Sequence, residues 1–260
     1  MILARQLLFS ASAIGESTAT IYILNSALRR KTLDSPQYIA PLAHLRTLAA
    51  PPHSSIEAMV LLGKIYESQN EEDKALQLYR QAASTSPSTE GEVETQLPLP
   101  GEGVASALVH QGLILQQRGN TSGAEAAFRQ AALEHDDPTG YFRLALLQRL
   151  NSSTQETYLL KAASSGITLA ATSLGQIHLG RARTEPADKA THVKLAKEWL
   201  YLGATAGEGQ SMLILAKVFK EEGKMQSAQK WLEMAEKSPN HVVTETARHL
   251  TAQVEESRLA

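Results

Sequence analysis

The chain has 260 residues, 43% of them apolar, with 25 Lys and Arg against 27 Asp and Glu. A net charge of -2 supplies no concentrated basic excess for holding nucleic acid or an anionic membrane through bulk charge, although local patches stay open. The absence of Cys excludes disulfides, thiolate zinc sites and cysteine nucleophiles, and the apolar content suffices for a substantial core.

Taken in chain order, apolar spacing near the helical period and turn residues between the runs predict helices over 2–13, 16–30, 35–50, 54–68, 71–84, 103–118 and 121–134. They continue over 138–150, 152–165, 167–181, 187–206, 208–222, 224–237 and 240–257. No segment sustains period-two alternation, so no sheet is expected. Residues 1–53 read as divergent N-terminal helices, the first of which carries an apolar stripe of Ile2, Leu3, Leu7, Leu8 and Phe9. A stripe at the end of a helical array has three open explanations: cover by another chain, self-association, or a natural chain that starts upstream. The acid-free first 15 residues, with Arg5 and Ala11-Ser12-Ala13, faintly match a targeting segment, but Leu7-Leu8-Phe9 is too short for a secretory signal. No stretch approaches the roughly 18 to 20 apolar residues that cross a bilayer, so no membrane insertion is expected. The expectation is a soluble intracellular protein, with cytoplasm and mitochondrial matrix undecided.

Between 54–84 and 103–135 lies the segment 85–102, which contains Pro87, Pro98, Pro100 and four acids without a base. It reads as a disordered acidic loop, with a contact or modification site at Ser86, Ser88 and Thr89 as the alternative. Its four acids leave 23 of the 27 elsewhere, against 25 bases. A second insertion, Arg181 to Asp188, falls inside a helix pair of the run 138–238. The helix 240–257, with Glu245, Arg248, Glu255 and Glu256, is expected to be a polar cap closing a single domain over 1–260.

One spacing recurs along this series. Gly63 is preceded by Met59 and Leu62 and followed by Tyr66, Ala75, Tyr79, Ala82 and Pro87. The same ruler from Gly112 meets Leu108, Leu115, Ala124, Phe128 and Ala131, and from Ala216 it meets Met212, Leu215, Phe219, Ala228, Leu232 and Ala235. A second signature runs through Ala196, Trp199, Gly203, Ala204, Gly207, Ser211, Leu215 and Ala216, and its later half returns in Ala162, Ala163, Gly166, Ala170, Leu174 and Gly175. The first pattern resembles the tetratricopeptide repeat and the second its Sel-one-like subclass. The resemblance implies an all-α fold, a right-handed α-solenoid of antiparallel helix pairs. Small residues let paired helices approach and large ones fill the groove between them, whereas Gly166 and Gly207 fall where a left-handed cap is needed.

Chemistry is sparse in comparison. There is no phosphate-cradling loop, paired-His zinc motif or nucleophile elbow, so neither catalysis, cofactor nor metal is expected. His241 and His249 lack carboxylate support for a metal; His178, Trp199 and Trp231 read as packed residues. Gly119 to Gly123 reads as a turn with a capping residue, and His135-Asp136-Asp137-Pro138 as a helix stop and restart.

The resemblance further implies that the first helix of each pair lines an inner, partner-binding face. Carried over by position, that face includes Tyr22, Asn25, Val60, Glu67, Leu113, Gln117, Phe142, Thr172 and Glu221. The candidate partner-binding residues on it are Arg29, Lys64, His110, Arg143, Arg149, Gln176, Lys217 and Lys220. Asn25 lacks a clustered Lys, and Val60 occupies a clamp position, which disfavours capture of acidic chaperone tails. The expected function is a non-catalytic scaffold, adaptor or assembly factor that holds a segment of another protein, of mixed acidic and apolar character, in the groove. The alternative is an RNA-associated helical-repeat protein, weakened by near-neutral charge and the lack of a regular base-reading pair.

Overall fold

The computed structural model describes residues 2–85 and 103–259, with side chains over 3–85 and 103–252. The described residues form α1 (Ile2–Ala13), α2 (Ser17–Arg29), α3 (Ile39–Ala49), α4 (Ile56–Ser68), α5 (Glu72–Ser84), α6 (Val104–Gln117) and α7 (Thr121–His135). They continue as α8 (Pro138–Leu147), α9 (Ser153–Ser164), α10 (Thr168–Thr184), α11 (Lys189–Thr205), α12 (Gly209–Glu221), α13 (Met225–Ala235) and α14 (His241–Leu259). Two 3-10 turns, Pro36–Tyr38 and Pro186–Asp188, precede α3 and α11, and the described residues contain no strand. From residue 86 on, the expected acidic loop lies outside the described residues, with Ser86, Ser88 and Thr89.

Three boundaries differ by three residues or more from those read in the sequence. The predicted helix 35–50 begins as a 3-10 turn, because Pro36 has no N–H and sits at the first position, and the α-helix starts at Ile39. The predicted helix 138–150 stops at Leu147. Gln155 Oε1 accepts the Asn151 N–H at 2.8 Å, and Asn151 turns the chain at φ 60°. Arg181 to Thr184, read as the start of an insertion, are helical, and the loop shrinks to Glu185 and the 3-10 turn that Pro186 begins. Glu156 grips the Arg181 guanidinium at 3.1 and 2.5 Å, which holds the extra turn of α10.

The chain divides into two compact units, 1–140 and 141–260. Within unit 1, the short turns between α4 and α5 and between α6 and α7 fold each pair antiparallel. Asn120 caps α7 by accepting the Gly123 N–H at 3.0 Å. Asp136 ends α7 at φ 48°, and Asp137 accepts the Gly140 N–H at 2.6 Å to restart the chain as α8, the stop and restart read in the sequence.

The ruler's physical content is visible in the pair α6–α7. Phe128 is fully buried, and a Cβ added to Gly112 would collide with its ring. Tyr79 meets Gly63 in the same way between α4 and α5, so the second helix of each pair pushes an aromatic ring into the gap left by a missing side chain.

In unit 2 α8 meets α9 through the Tyr141–Tyr158 ring contact and the Gln155 amide, α10 pairs with α11 and α12 with α13, and α14 packs on α12 and α13. Leu200 is the knob that fills Gly175, and Leu232 and Trp231 serve the α12–α13 pair beside Ala216. Trp231 is 8% exposed and edge-on to Tyr201 at 5.5 Å, a packed residue as expected. Gln155 is buried yet satisfied: its amide donates to the Ala145 carbonyl at 3.3 Å, tying α9 to α8. Gly207 sits at φ +91°, where an L side chain is strained, and its N–H closes the C-terminus of α11 on the Ala204 carbonyl at 3.1 Å.

Candidate partner-binding surfaces

The eight candidate residues fall into the two units and differ in how far the fold has already used them. In unit 1, Arg29 ends α2 and is exposed, and Lys64 is half-buried on α4 with its polar group engaged. His110 on α6 is committed. Its Nδ1 lies 3.1 and 3.3 Å from the two carboxylate oxygens of Glu67 on α4. Its ring stacks on Tyr79 of α5 with centroids 5.3 Å apart.

This cluster ties three helices together. The Tyr79 hydroxyl is buried beside Glu67 with no hydrogen bond of good geometry among the described residues. Burial, and after it the Glu67 charge, push its ionisation far up, so Tyr79 stays a neutral phenol. His110 therefore serves the α4–α6 junction in this structure, and Val60, also read as an inner position, is fully buried. Ring positions such as Tyr79 and carboxylates such as Glu67 are visible in the ruler, but their meeting at His110 depends on the stacking of one pair on the next. Beside this cluster, Arg118, the residue that caps the end of α6, binds Glu72 at 3.2 Å and Asp73 at 2.8 Å on α5, which holds its guanidinium in the charged form.

In unit 2, Arg143 is half-buried on α8, and its buried Nε has no hydrogen-bond partner. Arg149, read as helical, lies in the turn beyond α8 and is exposed, flanked by Leu146 at 51% and Leu150 at 79% exposure. Gln176 on α10 and Lys217 on α12 are exposed, and Lys220 is half-buried. Phe142 and Thr172, two further inner positions, are instead buried. The Thr172 hydroxyl lies 2.6 Å from that of Ser211 and donates to Glu208 at 3.1 Å, joining α10 to the N-terminus of α12.

Charge pairing separates the cations of this unit into two groups. Arg181 is held by Glu156, and Lys197 and Lys224 both hold Glu222, at 2.6 and 2.8 Å. Arg143, Arg149, Lys217 and Lys220 have no acid partner among the described residues. The unit thus presents unneutralised positive groups on its first helices and the turn after α8, and Lys189 and Lys194 of α11 and Lys230 of α13 likewise have no acid partner among the described residues.

A titratable cluster that the sequence reading did not assemble lies between α9, α10 and α11. His178 of α10 is 7% exposed, the packed His expected. Its Nδ1 faces His192 Nδ1 of α11 at 3.2 Å with ring centroids 5.4 Å apart, so the rings meet edge to edge with one proton between them. His192 Nε2 lies 3.3 Å from Glu185. Burial lowers the His178 pKa, opposed by Glu156 and reinforced by Arg181 and His192. Glu156 is lowered by Arg181, whose hydrogen bonds outweigh the cost of burial. The insertion between α10 and α11 signalled a place for such a cluster, although nothing in the spacing of His178 and His192 announced their contact.

Among the described residues, no three His, Asp or Glu groups converge to hold a metal, and no helix is long and apolar enough to cross a membrane. The class defined by these stacked pairs is the all-α solenoid of tetratricopeptide-like, Sel1-like helical repeats. A family model described as a tetratricopeptide repeat matches residues 56–89. The chain is similar in structure to c5321, a protective antigen of uropathogenic Escherichia coli strains displaying an SLR fold, with a TM-score of 0.66 and 17% identity. That match covers 96% of this chain and 52% of the antigen, so the chain spans about half the antigen's length. It is also similar to a Sel1 repeat protein from Oxalobacter formigenes, with a TM-score of 0.61 and 16% identity over 91% of this chain and 99% of that one. At these identities the likeness is one of fold. No curated protein matches the sequence.

Proposed function

We propose that the chain is a non-catalytic scaffold or assembly factor that holds a segment of another protein, acidic and apolar in character, on the first helices of unit 2. The observation that carries this reading is that Arg143, Arg149 and Lys217, on the first helices and the turn after α8, lack acid partners among the described residues, with Arg149 and Lys217 exposed. Exposed Leu146 and Leu150 beside Arg149 add apolar contact to the charge. Unpaired cations raise the on-rate and the specificity for an acidic segment more than they raise raw affinity.

Reversing Arg143, Arg149 and Lys217 to Glu is expected to remove the enrichment of acidic, Leu-bearing peptides from a displayed peptide library while the far-ultraviolet circular dichroism is unchanged. Unaltered enrichment would count against the proposal. A filter-binding titration in which RNA affinity falls steeply with salt would favour RNA as the partner instead. Exposed Leu3 and Leu7 on α1 are the proposed place for self-association. Sedimentation equilibrium should then show a concentration-dependent mass that Leu3→Glu with Leu7→Glu abolishes. Proximity labelling in the native cell reads partner and compartment together.

A further inference from the structure

The contact between His178 of α10 and His192 of α11 has room for one proton between its nitrogens and not for two. An ionised Glu185 can only accept, so His192 Nε2, 3.3 Å away, carries a hydrogen. In the neutral pair the proton between the two Nδ1 atoms, 3.2 Å apart, then belongs to His178. One added proton goes to the remaining bare nitrogen, His178 Nε2, and leaves the contact whole. It turns the bond into an imidazolium donating to an imidazole, the stronger, charge-assisted kind. The charged groups facing the pair are Glu156 of α9, Arg181 of α10 and Glu185 of the turn. Two acids against one base accommodate a single positive charge on the pair. A second added proton finds only His192 Nδ1, and two N–H groups then point at each other between two cations.

Packing decides which side gives way. His178 and its neighbour Ile177 are buried in α10, and Arg181 one turn further on is tied to Glu156 of α9. His192 belongs to the first turn of α11. Every residue from Arg183 to Thr191 is exposed, the 3-10 turn included, and the first buried residue of α11 is Ala196. Half-buried His192 and Val193 are therefore the inward ties of a stretch with little buried surface of its own, the kind of segment that opens locally. We propose that the pair is a two-proton latch: the first proton keeps the start of α11 closed on α10, and the second releases it. Release frees the 3-10 turn and the first turn of α11 while the rest of unit 2 stays folded. The latch acts on the native chain and is independent of what the basic residues of the unit bind.

The test follows the imidazole nitrogens and the hydrogen exchange of backbone amides in the ¹⁵N-labelled full chain between pH 8 and pH 4. The two rings are expected to titrate in two separate steps that belong to the pair. Across the first step the amides of residues 193–196, whose helical acceptors are the carbonyls of 189–192, should keep their protection. Below the second step that protection, corrected for intrinsic exchange, should fall about tenfold per pH unit, as one extra proton on the open form requires. The amides of residues 174–178 should keep theirs throughout. His192→Phe, which leaves a ring in the contact and removes the second proton's site, should hold the 193–196 amides protected over the same range. If that variant folds poorly, the order of steps in the native chain decides. Loosening at the first step, one joint step for both rings, a loss of protection shared by all of unit 2, or no loosening down to pH 4 overturns the latch.

Discussion

Truncating Phe128 to Ala is expected to lower stability by about 3–5 kcal/mol, the range for emptying a fully buried aromatic site. The more discriminating result comes from its partner. Gly112→Ala in the native background should cost about 1–3 kcal/mol, because the added Cβ falls inside the space of the Phe128 ring and overpacks the α6–α7 contact. That cost outweighs the gain of about 1 kcal/mol that Ala brings to a helix interior. In the Phe128→Ala background the ring is gone, so Gly112→Ala should be neutral or stabilising by up to about 1 kcal/mol. The change of sign makes a double-mutant cycle with a coupling of about 1–4 kcal/mol, read from urea midpoints. An equal penalty in both backgrounds would mean that Gly112 is needed for its backbone alone.

The second large effect is a two-stage loss of stability on acidification in unit 2. His178 is lowered below its ordinary value of 6.5 by burial first, with Arg181 and His192 adding to the burial and Glu156 opposing it. The unfolded chain therefore takes up a proton at higher pH than the folded one. The stability that neutral His178 contributes is complete above about pH 6.5 and is lost as pH falls from there through its lower folded value. Its partners set what protonation breaks: a proton on both Nδ1 atoms would end the hydrogen bond to His192, leaving Glu185 and Glu156 as the acids facing the pair. A second stage follows below the ordinary carboxylate range. Glu156 is lowered by Arg181, and Glu222 by Lys197 and then Lys224, so their contributions hold above pH 4.5 and fade below it.

Thermal unfolding between pH 8 and pH 3 should show both stages, with at most about 1.4 kcal/mol per pH unit from any one proton. His178→Phe should flatten the first stage and leave the second. If that variant is poorly folded, the imidazole titrations of His178 and His192 followed by NMR keep the prediction open to refutation. A His178 that titrates at or above its ordinary value would contradict the assigned burial.

The helices were legible because their causes are local. Apolar spacing at the helical period, Asn120 before α7 and Gly207 after α11 place turns and caps without reference to any distant residue. The recurrence of Gly or Ala sixteen residues before Tyr79, Phe128 and Leu232 placed the knobs of each pair, since a solenoid repeats one contact at one spacing. Two boundaries slipped where a side chain from a neighbouring helix decided them. Gln155 ends α8 early and Glu156 prolongs α10, and both belong to α9.

The candidate surface was legible in residue type and obscure in availability. Repeat register can say that His110, Arg143 and Lys217 occupy first helices. It cannot say that Glu67 and Tyr79 engage His110, that Arg143 is half-buried, or that Lys217 stays without an acid among the described residues. His178 and His192 are fourteen residues apart, and the proton they share depends on how α10 and α11 fold back across Pro186. The sequence alone determined an all-α helical-repeat chain without disulfides, because period, small-residue spacing and Cys content are properties of the string. Only the tertiary structure decided which charges remain for a partner, because neutralisation and burial are set by distances of a few ångströms between helices that sequence separation does not encode.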